Sequence, residues 1–221
     1  MRTINVSPHV KKVEAWFLVK VSAWIVKGTE GVYLVDTGLS FMAKRLLREI
    51  EKWGELKAVL LTHGHFDHVG GLKKILAAHT VPVYAHVSEM KYLEGSEPYP
   101  GMKKATHAVP SHLAETLPVL PDGMFKEIGG LTPFYTPGHT PGHVAYYHEA
   151  DNVLIGGDLF MSRGGQLRKP FGSATVDLKQ AVTSGRVVET LKPRLVSLCH
   201  GRDVYEPHKQ IDAYVARYQG S

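Results

Sequence analysis

The chain holds 221 residues, 43% hydrophobic and 21% charged, with a formal net charge of +5. This composition belongs to a globular protein and excludes disorder, collagen and coiled coil, and a chain of this length buries roughly 70% of the surface it exposes when unfolded. A single cysteine, Cys199, excludes an internal disulfide framework and a zinc cluster built from cysteines.

The longest apolar stretch, 15–26, is interrupted by Lys20 and is shorter than the about 20 residues that a membrane span needs. The N-terminal region carries Arg2, Lys11, Lys12 and Glu14 with no small-residue cleavage site, which argues against a signal peptide. A soluble, cytoplasmic protein of one domain, 1–221, is therefore expected. Basic residues occur as scattered pairs such as Lys73-Lys74 and Lys103-Lys104, so a small-molecule substrate is expected, with no nucleic acid or membrane as partner. The oligomeric state stays open, a homodimer included.

In chain order, apolar, β-branched and aromatic runs predict strands over 15–26, 31–35, 58–61, 81–85, 131–135, 144–148, 153–155 and 195–198. Helical patterns predict helices over 41–53, 70–78, 87–94, 176–191 and 207–218. The fourth has Thr175 as its N-cap, Asp177 in its first turn and Pro193 beyond its end. Early strands read as antiparallel meanders and later ones alternate with helices, which indicates sheets covered by helices. Between 94 and 123, five prolines and three glycines break every periodicity. A connection this long inside a compact domain reads as a functional lid or a flexible insert.

The densest chemistry lies in Thr62-His63-Gly64-His65-Phe66-Asp67-His68, between the 58–61 strand and a helix start. Divalent metals take neutral imidazole nitrogen and carboxylate oxygen. Histidines two apart in extended chain point the same way, so His63 and His65 can grip one ion. Asp67 and His68, on the turn into the helix, face a neighbouring site. Three further strand ends supply His139, in Thr136-Pro137-Gly138-His139-Thr140-Pro141-Gly142-His143, then Asp158, in Gly156-Gly157-Asp158-Leu159-Phe160, and His200. One ion needs three or four protein ligands, so seven indicate two ions sharing a bridging carboxylate.

The ordered set His63-x-His65-x-Asp67-His68, His139, Asp158 and His200 resembles the metallo-β-lactamase superfamily, as does Leu34-Val35-Asp36-Thr37-Gly38. The resemblance covers nearly the whole chain. It implies an α/β protein, an αββα sandwich of two mixed β-sheets flanked by helices, with the metals at one edge. It further implies that His63, His65 and His139 hold a first ion, that Asp67, His68 and His200 hold a second, and that Asp158 bridges them. Zn2+ is the expected metal, with Fe or Mn as substitutes. Asp36 matches a position that supports the site by orienting a ligand, or else it caps a turn. His143 is expected to support its loop through a hydrogen bond, and Cys199 to be a small buried residue rather than a nucleophile.

Two such ions lower the pKa of a shared water towards about 7, so that a metal-bound hydroxide attacks a carbonyl and no serine or cysteine nucleophile is needed. Asp67 is a candidate proton shuttle as well as a ligand. A thioester, lactone or related ester or amide is the expected substrate. Gly157-Asp158-Leu159-Phe160 resembles the glyoxalase II group, whereas the best-known true β-lactamases place cysteine at the Asp158 position. Acyl-homoserine lactonases place tyrosine where this chain has Met161, and the chain ends soon after His200, short of a helical glyoxalase II C-terminal domain. The alternatives are a mononuclear non-haem iron oxygenase resembling persulfide dioxygenases, with His63, His139 and Asp158 as its triad, and a phosphodiesterase or nuclease of the same superfamily. Arg163, Tyr92 and Arg202 are candidate substrate contacts, and His107 and His112 lie in the irregular insert within reach of a substrate.

Overall fold

The computed structural model describes residues 1–105 and 109–219, and in it two β-sheets pack face to face with helices outside. The first sheet orders its seven strands as the chain does. They are β1 (Arg2–Asn5), β2 (Val10–Phe17), β3 (Val19–Lys27), β4 (Val32–Val35), β5 (Leu56–Leu60), β6 (Val83–Ala85) and β7 (Glu115–Thr116). Strands β1 to β4 are antiparallel neighbours, and β4 to β7 are parallel. Parallel neighbours need crossovers. Helix α1 (Ala43–Trp53) joins β4 to β5, α2 (Phe66–Val69) and α3 (Leu72–Ala78) join β5 to β6, and α4 (Met90–Leu93) follows β6.

The second sheet begins with β8 (Leu131–Tyr135), β9 (Val144–His148) and β10 (Val153–Gly157). A separate hairpin, β11 (Met161–Arg163) and β12 (Gln166–Arg168), follows, then helices α5 (Leu178–Ser184) and α6 (Val187–Leu191). Strands β13 (Leu195–Leu198) and β14 (Val204–Tyr205) and helix α7 (Ile211–Tyr218) complete the chain's elements, and the sheet reads β14-β13-β10-β9-β8.

Alternation along the strands creates two cores. Val144, Tyr146, Val153, Ile155 and Leu195 pack inward against Val13, Ile25, Leu34 and Leu60 of the first sheet. Their neighbours Ala145, Leu154, Val196 and Leu198 face the other way, against Val182, Val188, Ile211 and Tyr214 of the helices. A side-chain period of two places successive residues on opposite faces, so one strand serves both cores. The αββα sandwich expected from the sequence is the architecture found. Among the polar ties between the sheets is a buried ion pair. Lys12, 2% exposed on β2, pairs with Asp203, whose Oδ1 also accepts from Ser197 Oγ at 3.0 Å, and Trp24 Nε1 donates to Ser197 Oγ at 2.8 Å.

Three predicted elements differ. The 15–26 run is not one strand but the β2–β3 hairpin, in which Phe17 pairs with Val19 around Leu18 at φ 59. The turn carries no glycine, proline or asparagine, so its sequence mimics a continuous strand. Its tip leaves Trp16, Phe17 and Leu18 exposed. The 176–191 helix is two helices parted at Gly185 and Arg186, where a Cβ on Gly185 would lie 2.7 Å from the Phe160 ring. Asp177, not Thr175, caps α5, accepting from Gln180 N at 2.8 Å. Finally, the 94–123 segment contributes β7 to the sheet and buries Tyr99, Val109, Ala114 and Leu117. His112 stands at the surface with its amide on Glu94, and His107 lies outside the described residues. No helix among the described residues is long and apolar enough to cross a membrane.

Candidate metal centre

All seven candidate ligands stand just beyond the C-terminal ends of strands. His63 and His65 follow β5, and Asp67 and His68 occupy the first turn of α2. His139 lies in the β8–β9 turn, Asp158 follows β10 and His200 follows β13. The turn that carries His139 depends on Gly138, whose φ is +127 and whose added Cβ would lie 2.1 Å from the Ala181 nitrogen. Gly138→Ala is therefore expected to cost about 1–3 kcal/mol from backbone strain alone, read as a lower melting temperature. An unchanged melting temperature would show that the turn relaxes freely.

The ligand atoms converge in two groups. His63 Nε2 lies 3.0 Å from His65 Nδ1, which lies 3.1 Å from His139 Nε2. Asp67 Oδ2 is 3.3 Å from His200 Nε2 and 3.8 Å from His68 Nε2. Asp158 stands between the groups. Its Oδ2 is 3.2 Å from His139 Nε2 and 3.3 Å from His200 Nε2, and its Oδ1 is 3.4 Å from His68 Nε2. Cys199 Sγ sits within 4.8 Å of the Asp67, His68 and His200 donor atoms, fully buried, and accepts from Ser22 N at 3.4 Å.

Hydrogen-bond partners fix where the imidazole protons are. His200 Nδ1 lies 2.6 Å from the Lys20 carbonyl, which only accepts, so the proton is on Nδ1. His68 Nδ1 donates to Asp36 Oδ2 at 2.7 Å. Thr175 Oγ1 gives its proton to the Phe171 carbonyl at 2.8 Å and accepts from His139 Nδ1 at 3.0 Å. Thr62 Oγ1 likewise donates to Asp36 Oδ2 at 2.7 Å and accepts from His63 Nδ1 at 3.0 Å. In each case Nε2 is the atom turned inward. Such partners are how proteins orient metal-binding histidines.

The electrostatics divide the same way. Burial drives the His65 pKa down to about 3, with the nearby His139 adding to the fall, and holds His63 well below the usual range. Burial also opposes charge on His68 and His200, but surrounding groups outweigh it. Cys199, Asp158 and Asp36 raise His68, and Asp158 and Cys199 raise His200. The same pairing overcomes burial at Asp158 and Asp67, whose carboxyls fall below the ordinary range. A divalent cation in each group fits this donor set. His63 and His139 aim unprotonated Nε2 atoms at one small space, and His68 Nε2 and Asp158 Oδ1 are buried with no hydrogen-bond partner among the described residues.

The structure brings Asp36 and His143 to the site's support. Asp36 also accepts from Thr62 N at 2.8 Å. His143 accepts from the Asp158 amide through Nε2 at 3.1 Å and bonds Thr136 Oγ1 through Nδ1, and burial pushes its pKa down to about 3. The candidate substrate contacts are not assembled. Tyr92 is buried behind the site, stacked on Tyr99 with ring centroids 4.8 Å apart, and Arg163 and Arg202 are exposed away from the cleft wall. Thr62, Thr175, the Lys20 carbonyl and Glu89 escaped the sequence reading. Only Thr62 gave a signal, as the residue opening the histidine motif.

The cleft above the centre has a volume of about 460 Å³. Phe17, Leu18, Val19, Phe66, Met102 and Phe171 wall it, and among the described residues its titratable side chains are His65, Asp67, Asp158 and His200.

Comparison with known proteins agrees with this geometry. The sequence profile of the metallo-beta-lactamase superfamily matches residues 16–200. The "Probable metallo-hydrolase YybB" of Bacillus subtilis strain 168 is 36% identical over 206 residues, spanning 91% of this chain and 90% of that protein. A hydroxyacylglutathione hydrolase from Buchnera aphidicola subsp. Acyrthosiphon pisum is 45% identical over 56 residues, 24% of this chain and 21% of that enzyme. The crystal structure of TTHA1623 in a di-iron-bound form superposes with a TM-score of 0.66 at 27% identity, covering 94% of this chain and 97% of that one. With its two facing sheets and its strand-end cluster of histidines and aspartates, the chain belongs to the metallo-β-lactamase superfamily of metallo-hydrolases.

Proposed function

We propose that the chain hydrolyses a thioester, lactone or related carbonyl bond of a small molecule with an apolar body, at a centre of two divalent cations. The observation that carries this reading is the place of Asp158, within 3.2–3.4 Å of nitrogens from both ligand groups. The di-iron form of TTHA1623 supports a two-ion centre, and the matched stretch of hydroxyacylglutathione hydrolase supports acyl hydrolysis. Divalent ions bound there supply Lewis acidity, polarising a carbonyl and making water a nucleophile near neutral pH.

The chain's own residues do the rest. His63, His65 and His139 would hold one ion and Asp67, His68 and His200 the other. Thr62, Thr175, Asp36 and the Lys20 carbonyl keep those imidazoles aimed. Asp67 is the carboxylate more open to the cleft, with its side chain 15% exposed against 5% for Asp158. Its pKa lies below the ordinary carboxylate range, so as a shuttle it would pass a proton on rather than keep it. Phe17, Leu18, Phe66 and Phe171 exclude water from the reacting bond and take up the substrate's body.

Among the described residues, no lysine or arginine lines the cleft to pair with a carboxylate or phosphate. This supports an uncharged substrate over a glutathione thioester or a phosphodiester. The test is metal quantification followed by a panel of lactones, thioesters, β-lactams and phosphodiesters with graded acyl chains. About two ions per chain are expected, with kcat/KM rising roughly three- to fourfold per methylene, the worth of about 0.8 kcal/mol of burial. One iron per chain with oxygen uptake would replace the reading with an oxygenase. A preference for anionic substrates would overturn the apolar assignment.

A further inference from the structure

Glu89 ends the short 3-10 turn Val87–Glu89 after β6, and its side chain is fully buried. A buried carboxylate is costly unless its oxygens are hydrogen-bonded. Oε1 accepts from the Gly64 amide at 2.9 Å, between His63 and His65, and from the Tyr99 hydroxyl. Oε2 accepts from the Gly142 amide and the Thr140 hydroxyl, both at 2.9 Å, just beyond His139. None of these four bonds goes to Asp67, His68 or His200, or to a residue next to one of them.

The fit leaves little slack. A Cβ on Gly64 would lie 2.6 Å from the Tyr99 hydroxyl, and one on Gly142 would lie 2.5 Å from the Glu89 nitrogen. Tyr99 also packs its ring edge-on to His65, with centroids 5.0 Å apart. Four donors converge on Glu89, and only a carboxylate offers acceptors at both oxygens. An amide of the same shape would turn N–H groups towards two of those donors and release one loop.

We propose that Glu89 is a positioning residue for the three-histidine half of the centre, a single carboxylate that sets the loop of His63 and His65 against the loop of His139. The inference rests on the metal-binding reading above and deepens it. Glu89 governs one ion's seat and leaves the other alone, because its bonds reach only one ligand group.

The experiment is a titration of chelator-stripped protein with Co2+, following d–d absorption and competition with a chelator. It compares wild type, E89Q, Y99F and T140V, each also in a His68→Ala background that isolates the three-histidine site. E89Q is expected to weaken cobalt binding at that site by about 10- to 100-fold, the range for lost supporting partners of metal ligands, and to change its absorption. Affinity at the Asp67, His68 and His200 site stays as in wild type. Y99F and T140V, which release one bond from opposite ends, give smaller losses at the same site. Unchanged affinity and absorption in E89Q would overturn the proposal. So would equal weakening of both sites in step with a fallen melting temperature, which marks a general structural role. If E89Q fails to fold, unchanged affinity in both Y99F and T140V overturns it instead. A wild-type chain that takes up no cobalt would sink the metal-binding reading itself, and the Glu89 assignment with it.

Discussion

Asp158→Ala is expected to lower kcat/KM by about 10³-fold or more, corresponding to about 4 kcal/mol of transition-state stabilisation. The size follows from what the carboxylate touches. Its two oxygens face His68, His139 and His200 together, so its loss removes the proposed shared ligand, takes from His200 its principal counter-charge and from His68 one of several. The substitution spares the local fold, because the tie to His143 runs through the Asp158 backbone amide. The measurement is turnover on the best substrate of the panel, with metal content determined on the same sample. Near-wild-type turnover in fully loaded Asp158→Ala protein would refute the bridging role.

Without bound metal, stability is expected to peak near the ordinary histidine pKa of about 6.5 and to fall on both sides. On the acid side, His65 and His143 refuse a proton down to about pH 3, and burial holds His63 well below the ordinary range. The unfolded chain accepts those protons below about 6.5, so each such histidine removes about 1.4 kcal/mol of stability per pH unit on acidification. On the alkaline side the sign reverses. His68 and His200 hold their protons in the fold well above the unfolded value, so their contribution is complete below about 6.5 and is lost as pH rises. Metal loading replaces those two protons, which removes the alkaline arm and releases acid on binding. Urea unfolding of stripped and loaded protein between pH 4 and 9 reads both arms. The His143→Gln variant should flatten the acid arm by one proton. An acid arm of unchanged slope in that variant would contradict the buried, neutral state of His143.

The seven candidate ligands were legible because each is a residue type rarely placed at a strand end without a task, and a strand end is readable from apolar runs. Their orientation was not legible. His200 is held by a carbonyl 180 residues away and His139 by a hydroxyl 36 residues away. The first pair exists only once the sheets have docked, and the second only once the segment before α5 has packed against the β8–β9 turn. Thr175 shows the competition directly, since its sequence position suits a helix cap but its hydroxyl serves His139, and Asp177 takes the cap. The fold class was legible in the mixture of meander and alternating elements. The β2–β3 turn was hidden because Leu18 adopts a left-handed conformation that long antiparallel pairing on both sides sustains.

The two ligand groups share a further property. Each draws members from both sheets, since His63 and His65 follow a strand of one and His139 a strand of the other, while Asp67 and His68 answer His200 across the same seam. Neither half of the sandwich owns a complete seat. An ion held there acts as a clasp, and its binding free energy opposes prising the layers apart. Loading is thereby a late event in maturation, closed to any chain whose halves have yet to meet.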